Sequence, residues 1–189
     1  MSFPYKRVAV IGCPGGGKST FSRALRDATG LPLYHLDAMY WRPDRTTLPR
    51  EEFYPIMQEI IARDEWIIDG NYQSTLEWRI AACDLVVFLD FPAEVCLAGV
   101  RARRGQARSD MPWVEEGDDE EFLSYIRSFT ENNRPRILEL LERYPDKVVV
   151  TFSSREEADG YLEEIRKYMH LNCRASLKTY RAESDDFFR

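Results

Sequence analysis

A glycine-rich segment near the N-terminus constrains the fold more than any other part of the sequence. Residues 12–19 read GCPGGGKS, which satisfies the pattern G-x-x-x-x-G-K-[S/T]. The apolar run 8–11 precedes this segment, and apolar residues recur at helical spacing after it, up to Gly30. The segment is therefore predicted to be a phosphate-binding loop between a buried strand and a helix, because backbone N–H groups at such a junction cradle anionic oxygens.

The polar side chains of this loop predict a site for a triphosphate and Mg²⁺. Lys18 is expected to reach the β- and γ-phosphate oxygens, and Ser19 is expected to ligate Mg²⁺. Thr20 could donate to the α-phosphate, although a threonine is also an ordinary residue in the first turn of a helix. The predicted nucleotide-binding set comprises Gly12, Cys13, Pro14, Gly15, Gly16, Gly17, Lys18, Ser19 and Thr20.

The thiol of Cys13 is the one chemically unusual group in the loop. Backbone N–H dipoles, Lys18 and a helix N-terminus all favour an anion there, so this thiol could have a lowered pKa. The alternative is that Cys13 is merely a small residue that fits a tight loop.

Four further apolar runs follow the first strand, and amphipathic segments lie between them. The runs are residues 33–36, 66–68, 85–89 and 148–152, which have the length and composition of buried parallel strands. Helical patterns cover residues 53–60, 76–83, 92–104, 120–129 and 135–144. Such alternation predicts right-handed crossovers and a parallel sheet covered on both faces, with ligands beyond the carboxyl ends of the strands.

Composition and charge limit the classes of function. The chain has 189 residues and a formal net charge of −6, whereas a protein that binds nucleic acid or anionic lipid through its surface is usually basic. No apolar run is long enough for a membrane span, and the four cysteines lack the spacing of a zinc site. We expect one cytoplasmic domain with insertions, reduced cysteines and no membrane partner.

Several segments of the sequence occur together in a known group of proteins. They read GCPGGGKST, LPLYHLDAMYW, WIIDGNY, DLVVFLDFP, RARRGQARSDM, FLSYIRSF and RPRILELL, and they span about residues 6–170. With these motifs the chain resembles the P-loop kinases of the adenylate kinase type, and more closely the bacterial DNA topology modulation proteins. The resemblance implies an α/β three-layer P-loop NTPase sandwich, with a five-stranded parallel sheet and an ATP site. It also implies an arginine-rich lid at about 101–118 within a kinase-like domain over 1–171. Residues 172–189 lack periodicity and are predicted to form a C-terminal tail.

The segment WIIDGNY carries the carboxylate expected near the metal. In the resembled kinases an apolar third strand ends in Asp-Gly, and this match puts Asp69 near the magnesium shell, with a plain Asp-Gly turn as the alternative. Asn71 and Tyr72 depart from the adenylate kinase pattern, in which an aromatic residue, a proline and an arginine follow the glycine. The departure weakens the expectation of a nucleoside monophosphate as acceptor. Arg79 is a further candidate for the acceptor side.

A second carboxylate, Asp37, is the candidate catalytic base. With His35 and Leu36 it ends the second predicted strand, where related small-molecule kinases carry a carboxylate that orients or deprotonates the accepting hydroxyl. A helix cap or turn is the alternative role, and the sequence leaves both open. His35 is expected to share a strand face with Asp37. Tyr40 and Trp41 could stack on a flat acceptor or anchor their loop on the core.

Arginines cluster within residues 101–108. Arg101, Arg104 and Arg108 lie at positions i, i+3 and i+7, so one helical face could direct three guanidinium groups at a triphosphate. Arg103 falls off that face. No acidic residue occurs within this run, which argues against a charge-balanced, solvated surface. The resemblance places such arginines in the lid, and we expect these three to stabilise the transferring phosphoryl group.

These features predict an ATP-dependent kinase that phosphorylates a nucleotide or a small hydroxylated metabolite. A GTPase switch is not favoured, because no [N/T]-K-x-D guanine-specificity motif occurs. The alternative is a nucleotide-dependent regulatory protein that affects DNA topology without kinase turnover. The composition predicts no direct sequence-specific contact with nucleic acid. The acceptor and the oligomeric state are left open by the sequence.

Overall fold

The chain alternates short strands with helices. The computed structural model describes residues 3–117 and 119–185, and the side chains of these residues up to 171. The elements are β1 (Arg7–Gly12), α1 (Lys18–Thr29), β2 (Leu33–His35), α2 (Leu36–Tyr40), α3 (Arg50–Ile61), β3 (Trp66–Asp69), α4 (Gln73–Ala82), β4 (Leu85–Leu89), α5 (Ala93–Arg103), α6 (Glu120–Asn132), α7 (Arg134–Glu142), β5 (Val148–Phe152) and α8 (Arg155–Asp185). The predicted tail over 172–189 lies outside the described side chains and stays a prediction.

The five strands form one parallel sheet in the order β2-β3-β1-β4-β5, which confirms the predicted fold class. The central strand β1 pairs with β3 and β4, with Val8 opposite both Ile67 and Leu85. These strands are continuous apolar runs because both of their faces are covered, and every residue of β4 is buried. Right-handed crossovers put α1 and α4 on opposite faces, since the chain moves across the sheet in opposite directions at the two connections.

The topology brings several chain segments to one edge of the sheet. The chain leaves β1 between the ends of β3 and β4, which is the switch point where parallel sheets bind ligands. Asp69 ends β3, with Val10 of β1 and His35 of β2 as its register partners. The loop at residues 12–19 and both predicted carboxylate segments therefore meet at this edge.

Backbone contacts fix the glycine-rich loop on its neighbours. Gly12 has φ +143°, and a Cβ there would lie 2.4 Å from the carbonyl oxygen of Leu89. A Cβ at Gly15 would lie 2.1 Å from the carbonyl oxygen of Cys96, and a Cβ at Gly99 would lie 2.2 Å from that of Gly15. The loop thus packs so closely on β4 and α5 that neither Gly12 nor Gly15 has room for a side chain.

The arginine segment differs from the expected single helical face. Helix α5 ends at Arg103, because Arg104 has extended backbone angles and Gly105 has φ +71°. Arg108 lies beyond the helix, in a turn closed by an isolated bridge to Met111. The expectation that Arg101, Arg104 and Arg108 occupy one face of a continuous helix is therefore wrong.

Candidate active site

Lys18 lies folded over the loop that carries it. Its Nζ donates to the carbonyl oxygens of Gly12 at 2.9 Å and Cys13 at 3.2 Å. Burial lowers the pKa of Lys18, although the carboxylates of Asp37 and Asp69 act in the opposite direction. The loop therefore holds this ammonium group beside the two carboxylates that the sequence singled out.

Asp69 is buried at the end of β3 and has one oxygen in need of a partner. His35 Nδ1 lies 2.9 Å from Oδ1 of Asp69, whereas Oδ2 is buried and has no hydrogen-bond partner among the described residues. A buried carboxylate oxygen without a donor is costly unless a cation or water meets it. Asp69 and the hydroxyl of Ser19 are hard oxygen donors of the kind that Mg²⁺ prefers, so this donor set fits the expected metal.

The protein contributes few ligands to such a metal. The described part of the chain contains no group of three His, Cys, Asp or Glu residues that could hold a metal ion alone. Mg²⁺ commonly keeps several waters and is held by one or two protein groups together with substrate phosphates. A site made of Ser19 and Asp69 is consistent with that pattern.

Asp37 lies in the first turn of α2, one element later than expected. Its Oδ1 accepts a hydrogen bond of 2.8 Å from the hydroxyl of Tyr72, whose ring packs on that of Tyr40. Burial raises the pKa of Asp37, against the opposing influence of Lys18 and Tyr72. The expectation that His35 and Asp37 share a strand face is wrong, because β2 ends at His35.

The loop after β3 is hydrogen-bonded both to the phosphate-binding loop and to α4. The side-chain amide of Asn71 accepts from Gly12 N at 3.0 Å and donates to Gly12 O at 2.8 Å. Arg79 is fully buried and donates to the carbonyl oxygens of Gly70, Asn71 and Tyr72. Burial lowers the pKa of Arg79 to about 10. Arg79 therefore positions the backbone of this loop, and its expected place on the acceptor side is not observed.

A cavity of about 1490 Å³ lies between the loop and the segment that follows α5. Arg104 and Arg108 line this cavity, as does Arg103, which was expected to point elsewhere. Arg101 is exposed and does not belong to the lining. Two of the three predicted lid arginines thus face the same space as Lys18.

Ion pairs order the arginines of this segment. Arg103 makes two hydrogen bonds to the carboxylate of Glu115, at 2.8 and 3.0 Å. Arg108 lies 3.6 Å from Asp110 and 3.9 Å from Glu115. Its Nη2 is nevertheless buried without a hydrogen-bond partner among the described residues. This donor is suited to an anionic oxygen within the cavity.

Asp110 is a third carboxylate of the site, which the sequence analysis missed. It is 2% exposed, accepts a hydrogen bond of 3.4 Å from Arg23 of α1, and lies near enough to the Ser19 hydroxyl for that group to lower its pKa. Burial opposes ionisation of Asp110, but Arg108, Ser19 and Arg23 outweigh it and lower the pKa. Its signal in the sequence is slight: Asp110 is the first acidic residue after the arginine run. The ion pair with Arg23 connects the lid segment to α1, the helix that follows the phosphate-binding loop.

Aromatic rings close the other end of the cavity. The rings of Trp41 and Trp113 meet edge to face at 5.2 Å, and Arg45 lies 6.0 Å from the Trp113 ring. Tyr40 packs on Tyr72, with the two ring centroids 4.8 Å apart. Two roles were expected for Tyr40, and this contact agrees with the one in which it anchors its segment on the core. Trp41 and Trp113 join the α2 side of the cavity to the lid segment.

Arg155, at the start of α8, is a further cavity residue that the sequence analysis missed. Its Nη2 donates to the carbonyl oxygen of Gly15 at 3.1 Å, and its guanidinium lies 5.9 Å from the Phe91 ring. No local motif marks Arg155, because its hydrogen-bond partner Gly15 lies 140 residues earlier in the chain.

Comparisons with known proteins identify the fold. No protein-family model and no curated protein matches the sequence. The structure is similar to that of shikimate kinase from Acinetobacter baumannii in complex with shikimate, with 16% identity, a TM-score of 0.55, and coverage of 93% of this chain and 95% of that chain. For shikimate kinase from Bacteroides thetaiotaomicron the identity is 16% and the TM-score is 0.51, with coverage of 88% of this chain and 99% of that chain. For a gluconokinase from Sinorhizobium meliloti 1021 the identity is 18% and the TM-score is 0.50, with coverage of 96% of this chain and 99% of that chain.

These similarities show that the chain has the fold of P-loop kinases. At such low identities they establish the fold alone. The three structures do not include a DNA topology modulation protein, so that narrower resemblance stays a prediction. Within the described residues, no helix combines the length and apolarity needed to cross a membrane.

Proposed function

We propose that the protein is a kinase that transfers the γ-phosphoryl group of ATP to a hydroxyl group of a small acceptor. The observation that carries this proposal is the position of Asp37, a carboxylate with a raised pKa that shares one cavity with Lys18. Phosphoryl transfer requires a cation at the phosphates and a group that orients or deprotonates the nucleophile. These two groups lie close enough for each to alter the pKa of the other.

The phosphate side of the mechanism rests on residues of the loop and of β3. Lys18 and the backbone N–H groups of residues 12–19 would bind the phosphate oxygens. Ser19 and Asp69 would hold Mg²⁺, which when bound supplies neutralisation of phosphate charge. Asn71 keeps the loop in place through its two hydrogen bonds to Gly12.

The acceptor side rests on Asp37 and the Tyr72 ring that orients it. The hydroxyl of Tyr72 donates to Oδ1 of Asp37, and the ring of Tyr72 packs on Tyr40 and Phe53. A carboxylate fixed in this way can accept the proton of the attacking hydroxyl, and burial brings its pKa nearer to the working pH of a general base.

The lid side rests on the arginines that line the cavity. Arg104 and Arg108, together with Arg103, would balance the charge that spreads over the phosphoryl oxygens during transfer. The exposed position of Arg101 gives its expected catalytic role no support.

The test is a screen for acceptor-dependent release of ADP from MgATP. The panel contains nucleotides and small hydroxylated metabolites, including shikimate, which is present in one of the similar structures. We expect at least one acceptor to raise ADP release in the parent and not in Lys18→Ala, while the variant stays folded because the Lys18 side chain belongs to no core. ATP-dependent thermal stabilisation that is unchanged in Lys18→Ala would contradict the assignment of the loop.

The alternative is a nucleotide-dependent regulator of DNA topology without turnover, as the narrower family resemblance suggests. Against it stand the net charge of −6 and the sequence pI of about 5.1, because DNA binding by counterion release needs a continuous basic surface. We expect weak, salt-sensitive DNA association without sequence preference. Tight sequence-specific binding at physiological salt, with no acceptor found in the screen, would favour the regulator.

A further inference from the structure

The phosphate-binding loop has a buried face and an exposed face. On the buried face, Cys13 is 2% exposed. The neighbouring thiol of Cys96, followed by burial, raises the pKa of Cys13, so the expectation of a lowered pKa there is wrong. On the exposed face, the side chain of Arg155 reaches the loop from the start of α8. The proposed mechanism uses neither side chain, and of the two only Arg155 carries a charge that a ligand could meet.

Two glycines leave the space that the guanidinium of Arg155 occupies. A Cβ at Gly17 would lie 3.0 Å from Nη1 of Arg155, and a Cβ at Gly99 would lie 2.8 Å from Nη2. Nη2 also donates to the carbonyl oxygen of Gly15 at 3.1 Å. The guanidinium therefore lies directly against the backbone of the loop, where a side chain at either glycine would crowd it.

The guanidinium of Arg155 is oriented but not neutralised. Its central carbon lies over the Phe91 ring, 5.9 Å from the centroid. Among the residues that the structure describes, no carboxylate forms an ion pair with Arg155. An arginine has five N–H donors, and the hydrogen bond to Gly15 uses one of them. The donors of Nη1 are thus available to an anionic ligand at the loop.

Arg155 and Lys18 approach the loop at different points of the same cavity. Nζ of Lys18 donates to the carbonyl oxygens of Gly12 and Cys13, whereas Arg155 donates to that of Gly15. Both side chains line the cavity. A chain of phosphates that lies along the loop would therefore meet one cation at each of two points.

We propose that Arg155 is a nucleotide-binding residue that donates from Nη1 to an oxygen of the phosphate chain. This inference rests on the proposed function, in which the loop binds ATP. A guanidinium suits phosphate oxygens because its N–H groups are held in a rigid, planar fork. The hydrogen bond to Gly15 and the contact with Phe91 keep this fork in place before the ligand binds.

The test measures the binding of MgATP and of magnesium tripolyphosphate to the full chain by isothermal titration calorimetry. Arg155→Gln should weaken both by a similar factor of roughly 10, as for the loss of a hydrogen bond to a charged group. The variant should stay folded because Arg155 is exposed and belongs to no core, and the Tm without ligand checks this. Arg155→Lys keeps the charge and should recover part of the affinity for both probes.

Arg166→Gln is the matched control. It makes the same change of charge on the same helix, at an exposed residue outside the cavity lining. With a rise of 1.5 Å per residue, this position lies about 16 Å farther along α8. It should bind MgATP like the parent.

The dependence of MgATP binding on NaCl separates a phosphate contact from a role in holding the loop. Salt screens the attraction between a guanidinium and phosphate, so Arg155→Gln should show a weaker salt dependence than Arg166→Gln. A residue that only held the Gly15 carbonyl would leave this dependence unchanged.

Three results would overturn the proposal. They are equal MgATP affinity in Arg155→Gln and Arg166→Gln, equal salt dependence in these variants, and a loss of affinity for MgATP with none for tripolyphosphate. The last result would assign Arg155 to the base or the ribose instead. Failure of the parent to bind MgATP would contradict the proposed function itself, whereas the three results above leave that function intact.

Discussion

The two walls of the cavity are built by different forces. The wall formed by residues 12–19 is backbone packed on backbone, with Gly15 against Cys96 and Gly99. The facing wall formed by residues 103–117 is organised by charged side chains, such as the Arg103–Glu115 pair. Close-packed backbone tolerates almost no added volume, whereas partly exposed ion pairs contribute little each and can exchange partners. Substitutions that add volume to the first wall should therefore abolish ATP binding, whereas substitutions in the second wall should change binding or activity only in part.

The largest effect is expected from Gly15→Ala. The added Cβ would lie 2.1 Å from the carbonyl oxygen of Cys96, and the positive φ of 82° is itself unfavourable for alanine. ATP-dependent thermal stabilisation should be lost. Gly160→Ala is the matched control, because a Cβ there meets nothing within 4 Å. ATP binding by Gly15→Ala equal to that of the control would show that the loop wall is not as rigid as its packing indicates.

Replacing Asp37 by Asn should lower acceptor-dependent turnover by roughly 10²- to 10⁴-fold, the usual contribution of a general base. Background ATP hydrolysis and MgATP affinity should survive, because Asp37 serves the acceptor. Tyr72→Phe removes the hydrogen bond to Asp37 and should cause a smaller loss. The measurements are steady-state kinetics and MgATP titration, with the exposed Asp27→Asn as control.

Replacing Asp69 by Asn should raise the magnesium requirement and impair every phosphoryl transfer, including slow ATP hydrolysis. We expect a loss of roughly 10- to 100-fold, as for other groups that support a metal from its outer shell. Titration of hydrolysis with Mg²⁺ measures the effect. If Asp37→Asn abolished MgATP binding and Asp69→Asn did not, the roles of the two carboxylates would be reversed.

Asp110→Asn tests the charged wall and should have a smaller effect of opposite sign. Asp110 is an anion next to Ser19, where phosphate charge is expected, and it also engages Arg23 and Arg108. Its neutralisation should tighten MgATP binding several-fold and reduce the salt dependence of that binding. Weaker binding would instead mean that Asp110 assists the metal. Glu94→Gln, an exposed residue of α5 outside the cavity lining, is the charge-matched control.

The smallest expected effect concerns stability against pH. Because burial raises the pKa of Asp37, the folded protein retains this proton at pH values where the unfolded chain has released it. The free energy of unfolding that depends on Asp37 therefore falls as pH rises from the unfolded pKa through the folded one. The Tm of Asp37→Asn relative to the parent should be higher at neutral pH than at low pH. A difference that is constant with pH, or that changes in the other direction, would contradict the raised pKa.

The sequence predicted the loop wall well because the signals there are local. The motif at 12–19 lies between an apolar run and an amphipathic helix, and the structure has β1 and α1 at those places. Each predicted strand also occurs within one or two residues of its observed bounds. Hydrophobic periodicity reports burial of the same short segment that shows it, so neighbouring residues suffice.

The lid wall was predicted less well because its order depends on distant partners. The i, i+3, i+7 spacing of Arg101, Arg104 and Arg108 assumed a helix that in fact ends at Arg103. The orientation of Arg108 depends on carboxylates farther along the chain, Asp110 and Glu115. Spacing alone does not reveal where a helix ends when the next residue adopts an extended conformation.

By itself, the sequence determined the parallel α/β architecture, the phosphate-binding loop and the presence of two carboxylates beyond neighbouring strands. Only the tertiary structure decided what those carboxylates contact. Asn71 reaches Gly12 across 59 residues, and Tyr72 reaches Asp37 across 35. In the sequence, Asn71 and Tyr72 are notable only because they depart from the adenylate kinase pattern. Hydrogen bonds between residues so far apart in the chain follow from the relative placement of whole strands and helices, which local periodicity does not encode.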